Sequence, residues 1–304
     1  VSDRRLLQTT TGTNTGSFAL GDWGLLGAVA LTWGASFFFI DLGLDAFHPT
    51  VVAFGRIALG ALALSLVPAA RRPATPVAAS DRPRIVLLGV VWMAVPLTLF
   101  PVAEQWISSS LAGMLNGGVP LVTAGVATAL GLRRPGPTQV LGLVGGFVGV
   151  VLISLPSLAI GGRDALGVGL IMVALVCYAV SANLAVPLQQ AYGGPALMLR
   201  VELVGAVLTL PAALWGATES RFAWPSFLAV AALGVFGTGV AFAVMATVLG
   251  RIGATRGTTV TYLMPPVSIA LGVAFRDDHV EAVALVGIAV VLAGAFVVSR
   301  SGDG

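Results

Sequence analysis

Trp33 and Ser36 stand three residues apart in the stretch LTWGASFFFIDLGL, residues 31–44, a spacing that puts both on one face of a helix. Tyr178 and Ser181 repeat the pattern later in the chain. Asn116, Thr261 and Tyr262 add an amide, a hydroxyl and another ring. Side chains of these types hold and release a small solute rather than break its bonds. Rings supply apolar area and a π face for a cation, and the polar groups supply a few hydrogen bonds. The groupings that mark bond-breaking chemistry are missing: the sequence has no GxxxxGK[ST], no HExxH and no GxSxG. Cys177 is the single cysteine, so neither an intrachain disulfide nor a cysteine-rich metal site can form. His48 and His279 fall at loop edges. No cofactor and no metal are expected.

Three charged residues interrupt apolar runs. Asp41 falls near one end of its run, where a carboxylate can stay solvated or pair with Arg56. Arg56 sits about seven residues into the next run from the same side. An arginine at that depth must snorkel or pair, because an unpaired charge in hydrocarbon costs several kcal/mol. Asp41, Asp45 and Glu104 are its candidate partners. Glu202 and Arg200 lie a few residues into a later run; being two apart, they point to opposite faces and cannot pair on the helix. Asp41, Arg56 and Glu202 therefore read as gating or structural charges.

Composition names the medium. The chain has 304 residues, 57% of them hydrophobic and 10% charged, with a mean hydropathy of +0.97. Soluble domains carry about 25% charged residues. A spanning helix needs about 20 mostly apolar residues, and ten segments qualify: 23–43, 50–69, 84–103, 109–131, 138–156, 166–188, 196–217, 226–248, 254–275 and 282–299. These runs are too long and too continuously apolar for barrel strands. The fold class is an all-α membrane protein with ten transmembrane helices. Residues 1–21, rich in Thr, Gly and Ser, read as a disordered cytoplasmic tail.

All basic residues are arginine, and most lie in short connectors. With the N-terminus inside, Arg4, Arg5, Arg71, Arg72, Arg82, Arg84, Arg133, Arg134, Arg251, Arg256 and Arg300 are cytoplasmic, while Arg163, Arg221 and Arg276 are external. This asymmetry puts both termini in the cytoplasm and argues against nucleic acid as a partner. The expected partners are a small-molecule substrate and the lipid bilayer, with the chain taken as a monomer.

A shift of 145 positions superposes the two halves. It aligns Gly60-Ala61 with Gly205-Ala206, Leu88-Gly89-Val90 with Leu233-Gly234-Val235, and Pro120 with Pro265. It also aligns Gly142 with Gly287 and Gly149 with Gly294. The halves, 22–157 and 164–300, hold five spans each. Five is odd, so the second copy must be inverted, an arrangement whose sites lie near the midplane at the repeat interface. The same shift pairs Trp33 with Tyr178, Ser36 with Ser181 and Asn116 with Thr261. At 1.5 Å per residue, Trp33 and Ser36 lie roughly 16–21 Å in, near the midplane. Gly117-Gly118 with Pro120, and the threonines 258, 259 and 261 before Pro265-Pro266, mark helices that break or kink at that depth. These residues read as a substrate-binding set: Trp33, Ser36, Asn116, Tyr178, Ser181, Thr261 and Tyr262. Gly34, Ala35 and Ser36 read equally well as a small-residue packing seam, and the threonine hydroxyls can bond back to their own helix.

LTWGASFFFIDLGL, VVAFGRIALGALAL, VPLVTAGVATALGL and LMPPVSIALGVAF together resemble the drug/metabolite transporter superfamily, in its ten-helix EamA-type branch. The resemblance covers about residues 22–300. It departs where the family often has lysine at the position of Asp41 and an acidic residue near Arg133-Arg134; Asp277 and Asp278 keep acids in the second half. The resemblance implies an inner-membrane carrier, often an exporter, of amino acids, other metabolites or drugs. It would work by alternating access around a cavity walled by spans 1, 3, 4, 6, 8 and 9. A membrane channel and a membrane-embedded enzyme remain as alternatives; the first needs a continuous polar stripe and the second a catalytic cluster at one depth.

Overall fold

The computed structural model describes residues 6–107, 109–132, 134–154, 164–267 and 282–301. Arg4, Arg5, Arg133, Arg163, Arg276, Asp277, Asp278 and His279 fall outside them. The described residues form ten helical passes: α1 Leu20–Leu44, α2 Pro49–Ser65, α3 Ala79–Ala103, α4 Ser109–Asn116 continued by Val119–Ala129, α5 Pro137–Ser154, α6 Asp164–Tyr192, α7 Gly194–Thr218, α8 Trp224–Ile252, α9 254–267 and α10 Ala282–Arg300. Six of them are long and apolar enough to cross a bilayer by themselves, and α2, α5 and the second part of α4 are shorter apolar helices. Leu31, Leu62, Leu141, Val207, Leu214 and Leu228 stand exposed on their outer faces. In water that would be a liability; here it is the surface hydrocarbon requires. The chain is an all-α, multi-pass membrane protein.

Several passes are irregular, and the sequence explains where. A turn at Ala35 divides α1 just after Gly34, whose missing side chain leaves room for Val267 and the Met264 carbonyl of α9. The turn at Gly117–Gly118 divides α4, and that at Thr258–Thr259 divides α9. The middle of α3 widens into a π-helical stretch at Gly89–Ala94, and α8 does the same at Leu233–Val240. These two wide turns occupy corresponding places under the 145-residue shift. At Gly193 and Gly253, positive φ values of 85° and 81° permit one-residue turns between successive passes.

Contacts between the halves are reciprocal. A Cβ on Gly142 would stand 3.0 Å from the Gly294 carbonyl oxygen, and one on Gly149 would stand 2.8 Å from that of Gly287. Gly287 and Gly294 are the repeat copies of Gly142 and Gly149, so each glycine meets the copy of the other. The same exchange joins α2 and α7: Ile57 Cγ2 lies 3.4 Å from a Cβ on Gly205, and Glu202 Oε2 lies 2.9 Å from one on Gly60. Contacts exchanged in this way define a pseudo-two-fold axis between the halves.

Residues 6–19 correct one expectation. They are not a free tail; they run across the end of the bundle where both chain ends lie. Arg84 and Arg256 are fully buried there and need acceptors. Arg84 donates to the Gln8 carbonyl at 2.6 Å, and Arg256 donates to the carbonyls of Asn14 (3.0 Å) and Gly16. The Phe18 ring lies 4.7 Å from the Arg256 guanidinium carbon, and the Phe18 amide donates to the Ser299 carbonyl of α10.

The α5–α10 seam yields a test on one helix. A Cβ on Gly149 would meet the Val291 backbone nitrogen at 2.6 Å, whereas one on Gly145 would meet nothing within 4 Å. Gly149→Ala is expected to destabilise the protein by about 1–3 kcal/mol, the usual cost of overpacking. Gly145→Ala should leave the melting temperature in detergent unchanged. Equal melting temperatures for the two variants would remove the seam from the account.

Candidate functional site: a central aromatic cavity

One cavity in the middle of the bundle is bordered by residues of α1, α2, α3, α4, α6, α8 and α9 and has a volume of about 70 Å³. That is smaller than the 300–1,000 Å³ of typical small-molecule sites, so a solute of that class would need the walls to part. Two ring clusters border it. In one, Phe242 lies 4.9 Å from Trp33 and 5.8 Å from Trp92, centroid to centroid, both pairs inclined. In the other, Phe100 lies 6.0 Å from Tyr178 in a stacked pair and 6.1 Å from Phe37. These separations fall within the range where rings attract one another beyond simple area burial.

The wide turn of α8 organises one side of the cavity. The Trp33 Nε1–H donates to the Gly237 carbonyl at 2.9 Å, which fixes the plane of the indole. The next residue, Thr238, donates its hydroxyl to the Leu233 carbonyl at 3.2 Å, the i−5 partner that a π-turn provides, and accepts from Arg56 Nε at 3.0 Å. π-turns inside α-helices are frequent at functional sites. Arg56 is 4% exposed and borders the cavity. Among the described residues, the bond to Thr238 is its one hydrogen bond, and no carboxylate forms a salt bridge with it. Glu104 and Glu202 are near enough to attract it electrostatically. Neither carboxyl oxygen of Glu202 has a hydrogen-bond partner among the described residues.

The residues singled out in the sequence divide into two groups. Trp33, Ser36, Asn116, Tyr178 and Thr261 border the cavity; Ser181 and Tyr262 do not. Ser181 is fully buried and donates to the Tyr178 carbonyl of its own helix. Tyr262 places its ring over Gly146, where a Cβ would come within 2.4 Å of Cε2, and its hydroxyl donates to the Leu143 carbonyl at 2.6 Å. Equal depth was misleading for both, because depth does not fix the direction a helix face points. Ser36 and Thr261 spend their protons on their own helices, at the carbonyls of Thr32 and Thr258, and keep lone pairs as acceptors. Asn116 Nδ2 reaches Met264 Sδ at 3.8 Å, and its Oδ1 is buried without a hydrogen bond among the described residues.

The charges are placed differently from the pairings expected. Asp41 is exposed and, with Asp45, Glu104 and Arg221, borders a polar recess at the end of the bundle opposite the chain ends. Arg56 is held by Thr238, which the sequence reading did not consider. Arg200 turns back to the carbonyls of Ala196 and Ala70, while Glu202 is fully buried. Trp92, Phe100 and Phe242 were also missed. Trp92 carried a usable signal, since the repeat shift sets it opposite Gly237, the residue that holds Trp33.

Comparison with known proteins agrees with this architecture. Residues 21–155 and 165–300 each match the EamA-like transporter family. The chain is similar to a probable terminal-alkyne amino-acid exporter of Streptantibioticus cattleyicolor, 25% identical over 91% of this chain and 93% of that protein. It is also similar to the uncharacterized inner membrane transporter YedA of Escherichia coli, 24% identical over 89% of this chain and 88% of that protein. An uncharacterized transporter of Archaeoglobus fulgidus is 24% identical over 91% of this chain and 98% of that protein. One solved crystal structure superposes with a TM-score of 0.71 at 17% identity, covering 91% of this chain and 97% of that one, which shows a shared fold. With both halves matched across nearly the whole chain, the protein belongs to the EamA-like transporter family: it is a membrane transporter and not an enzyme.

Proposed function

We propose that the protein is a secondary carrier that exports small amphipathic solutes, amino acids with apolar side chains above all, by alternating access around the central cavity. The observation that carries this reading is the cavity itself. It is built from both halves, faced by two ring clusters, and supplied with few polar groups. An apolar side chain would pack between the rings, and an ammonium group would meet a ring face. The described relative whose substrate class is named, the S. cattleyicolor protein, is a probable amino-acid exporter, which agrees with this choice of solute. The substrate contacts in this reading are Trp33, Ser36, Asn116, Tyr178 and Thr261.

Purified protein in liposomes should take up labelled leucine or phenylalanine with saturation, and should exchange internal for external solute. Linear, unsaturable flux would favour a channel. Tyr178→Ala and Asn116→Ala should each raise KM about 5- to 10-fold, the scale of one ring contact or one hydrogen bond, with expression and monodispersity nearly unchanged. Ser181→Ala should transport like the wild type. A larger loss from Ser181→Ala than from Tyr178→Ala would shift the site away from the cavity.

The same proposal sets the protein in the inner (plasma) membrane with both termini cytoplasmic and the second half inverted. The arginine distribution supports this orientation. So does the bond from the Phe18 amide to the Ser299 carbonyl, which brings the two chain ends to one side of the bundle. Reporters fused after Arg300 and inserted at Gly193 should both read cytoplasmic. An external signal from the C-terminal fusion would contradict the inverted arrangement.

A further inference from the structure

Arg56 has a feature that neither structural anchoring nor gating explains. It is the only formally charged side chain that borders the cavity among the described residues. It is 4% exposed, so it does not snorkel to water. Its Nε–H is spent on Thr238, which is absent from the cavity wall, and that bond orients the guanidinium. The two terminal nitrogens have no hydrogen-bond partner among the described residues. A guanidinium presents its donors as a rigid fork that matches a carboxylate bidentately. These nitrogens are not among the fully buried unpaired polar atoms, so they remain within reach of a guest in the cavity, and a charge-assisted bond to them is worth more there than in water.

We infer that Arg56 is the anchor for a carboxylate group of the transported solute, with the Thr238 hydroxyl as the positioning group that aims the fork. This rests on the carrier reading above and adds to it which end of the solute is recognised, and by which residue. Glu202 fits the same picture. It is packed over Gly60 and is absent from the cavity wall. It tempers the guanidinium charge without occupying the fork. The solute class is therefore a monocarboxylate with an apolar side chain, zwitterionic amino acids included. An organic cation without a carboxylate does not satisfy the fork.

The test begins on the unaltered protein in liposomes, so it does not depend on any variant folding. Leucine uptake is measured in competition with 4-methylpentanoate, which keeps the carboxylate and lacks the amine, and with leucinamide and 3-methylbutylamine, which lack the carboxylate. The carboxylate compound is expected to compete, and the other two to compete at least ten-fold more weakly, the scale of a charge-assisted bond. Arg56→Gln should abolish that discrimination, Arg56→Lys should keep part of it because the charge remains without the fork, and Thr238→Val should raise KM for leucine several-fold while competition by 3-methylbutylamine is unmoved. Saturable leucine uptake with equal competition from leucinamide and 4-methylpentanoate would overturn the anchor and leave the carrier reading intact. Absence of saturable uptake of any amino acid would overturn both.

Discussion

Backbone meeting backbone at a few glycines is the constraint on which the rest of this structure depends. Lipid tails are as apolar as leucine, so helices in a bilayer gain little from apolar burial and associate through close packing instead. Gly142 with Gly294, Gly149 with Gly287, and Gly60 with Gly234 and Gly239 let α5 approach α10 and α2 approach the wide turn of α8. In each case the glycine meets backbone atoms, which cannot move aside as a flexible side chain can. The seams fix how the halves meet, and the cavity is the space left between them where large rings replace glycines.

The packing obeys the pseudo-two-fold, but the chemistry does not. Ile57 lies over Gly205, and its repeat copy over Gly60 is Glu202. Arg56 has Val201 as its copy, and Thr238 has Met93. Shape is thus shared between the halves, while neither charge has a charged copy in the other half. Trp33 and Tyr178 differ in the same way. The indole donates to the backbone of the opposite half, whereas the Tyr178 ring stacks on Phe100 within the first half's third pass. A cavity formed between unlike halves has two different ends, as the recognition of a solute with one apolar and one charged end requires.

The passes, the repeat and five cavity residues were legible in the sequence because each rests on a one-dimensional signal. Apolar length gives the passes, a constant offset gives the repeat, and distance along a helix gives depth. What the sequence did not disclose depends on azimuth or on irregular backbone. Tyr262 and Thr261 are adjacent and equally deep, yet the ring lies over Gly146 while the threonine borders the cavity. For Arg56 the sequence offered snorkelling or a pair with an acid on its own side, because charge suggests charge. Its partner is a neutral hydroxyl that only a π-turn presents at that position, and no residue type announces such a turn. The order in residues 6–19 was equally hidden. A Thr/Gly/Ser-rich stretch reads as disordered until two buried arginines supply donors for its carbonyls.

That segment bears on how far the halves can move relative to one another. Arg84 belongs to α3 in the first half and Arg256 to α9 in the second, and both are fully buried. Gln8 accepts from one, and Asn14 and Gly16 accept from the other. Five residues lie between Gln8 and Asn14, a contour of roughly 20 Å when fully extended. The residues between are not slack. The Thr9 hydroxyl donates to the Asn183 carbonyl, Gln190 donates to the Thr11 carbonyl, and the Thr13 and Asn14 amides donate to the carbonyls of Gly250 and Arg251, all in the second half. The segment is thus docked on α6 and α8, and it reaches the first half through the Arg84–Gln8 bond. Parting the halves at this end would draw on that bond before the several that hold residues 9–16 to the second half, and Arg84 would keep the Asp81 carboxylate 3.5 Å away.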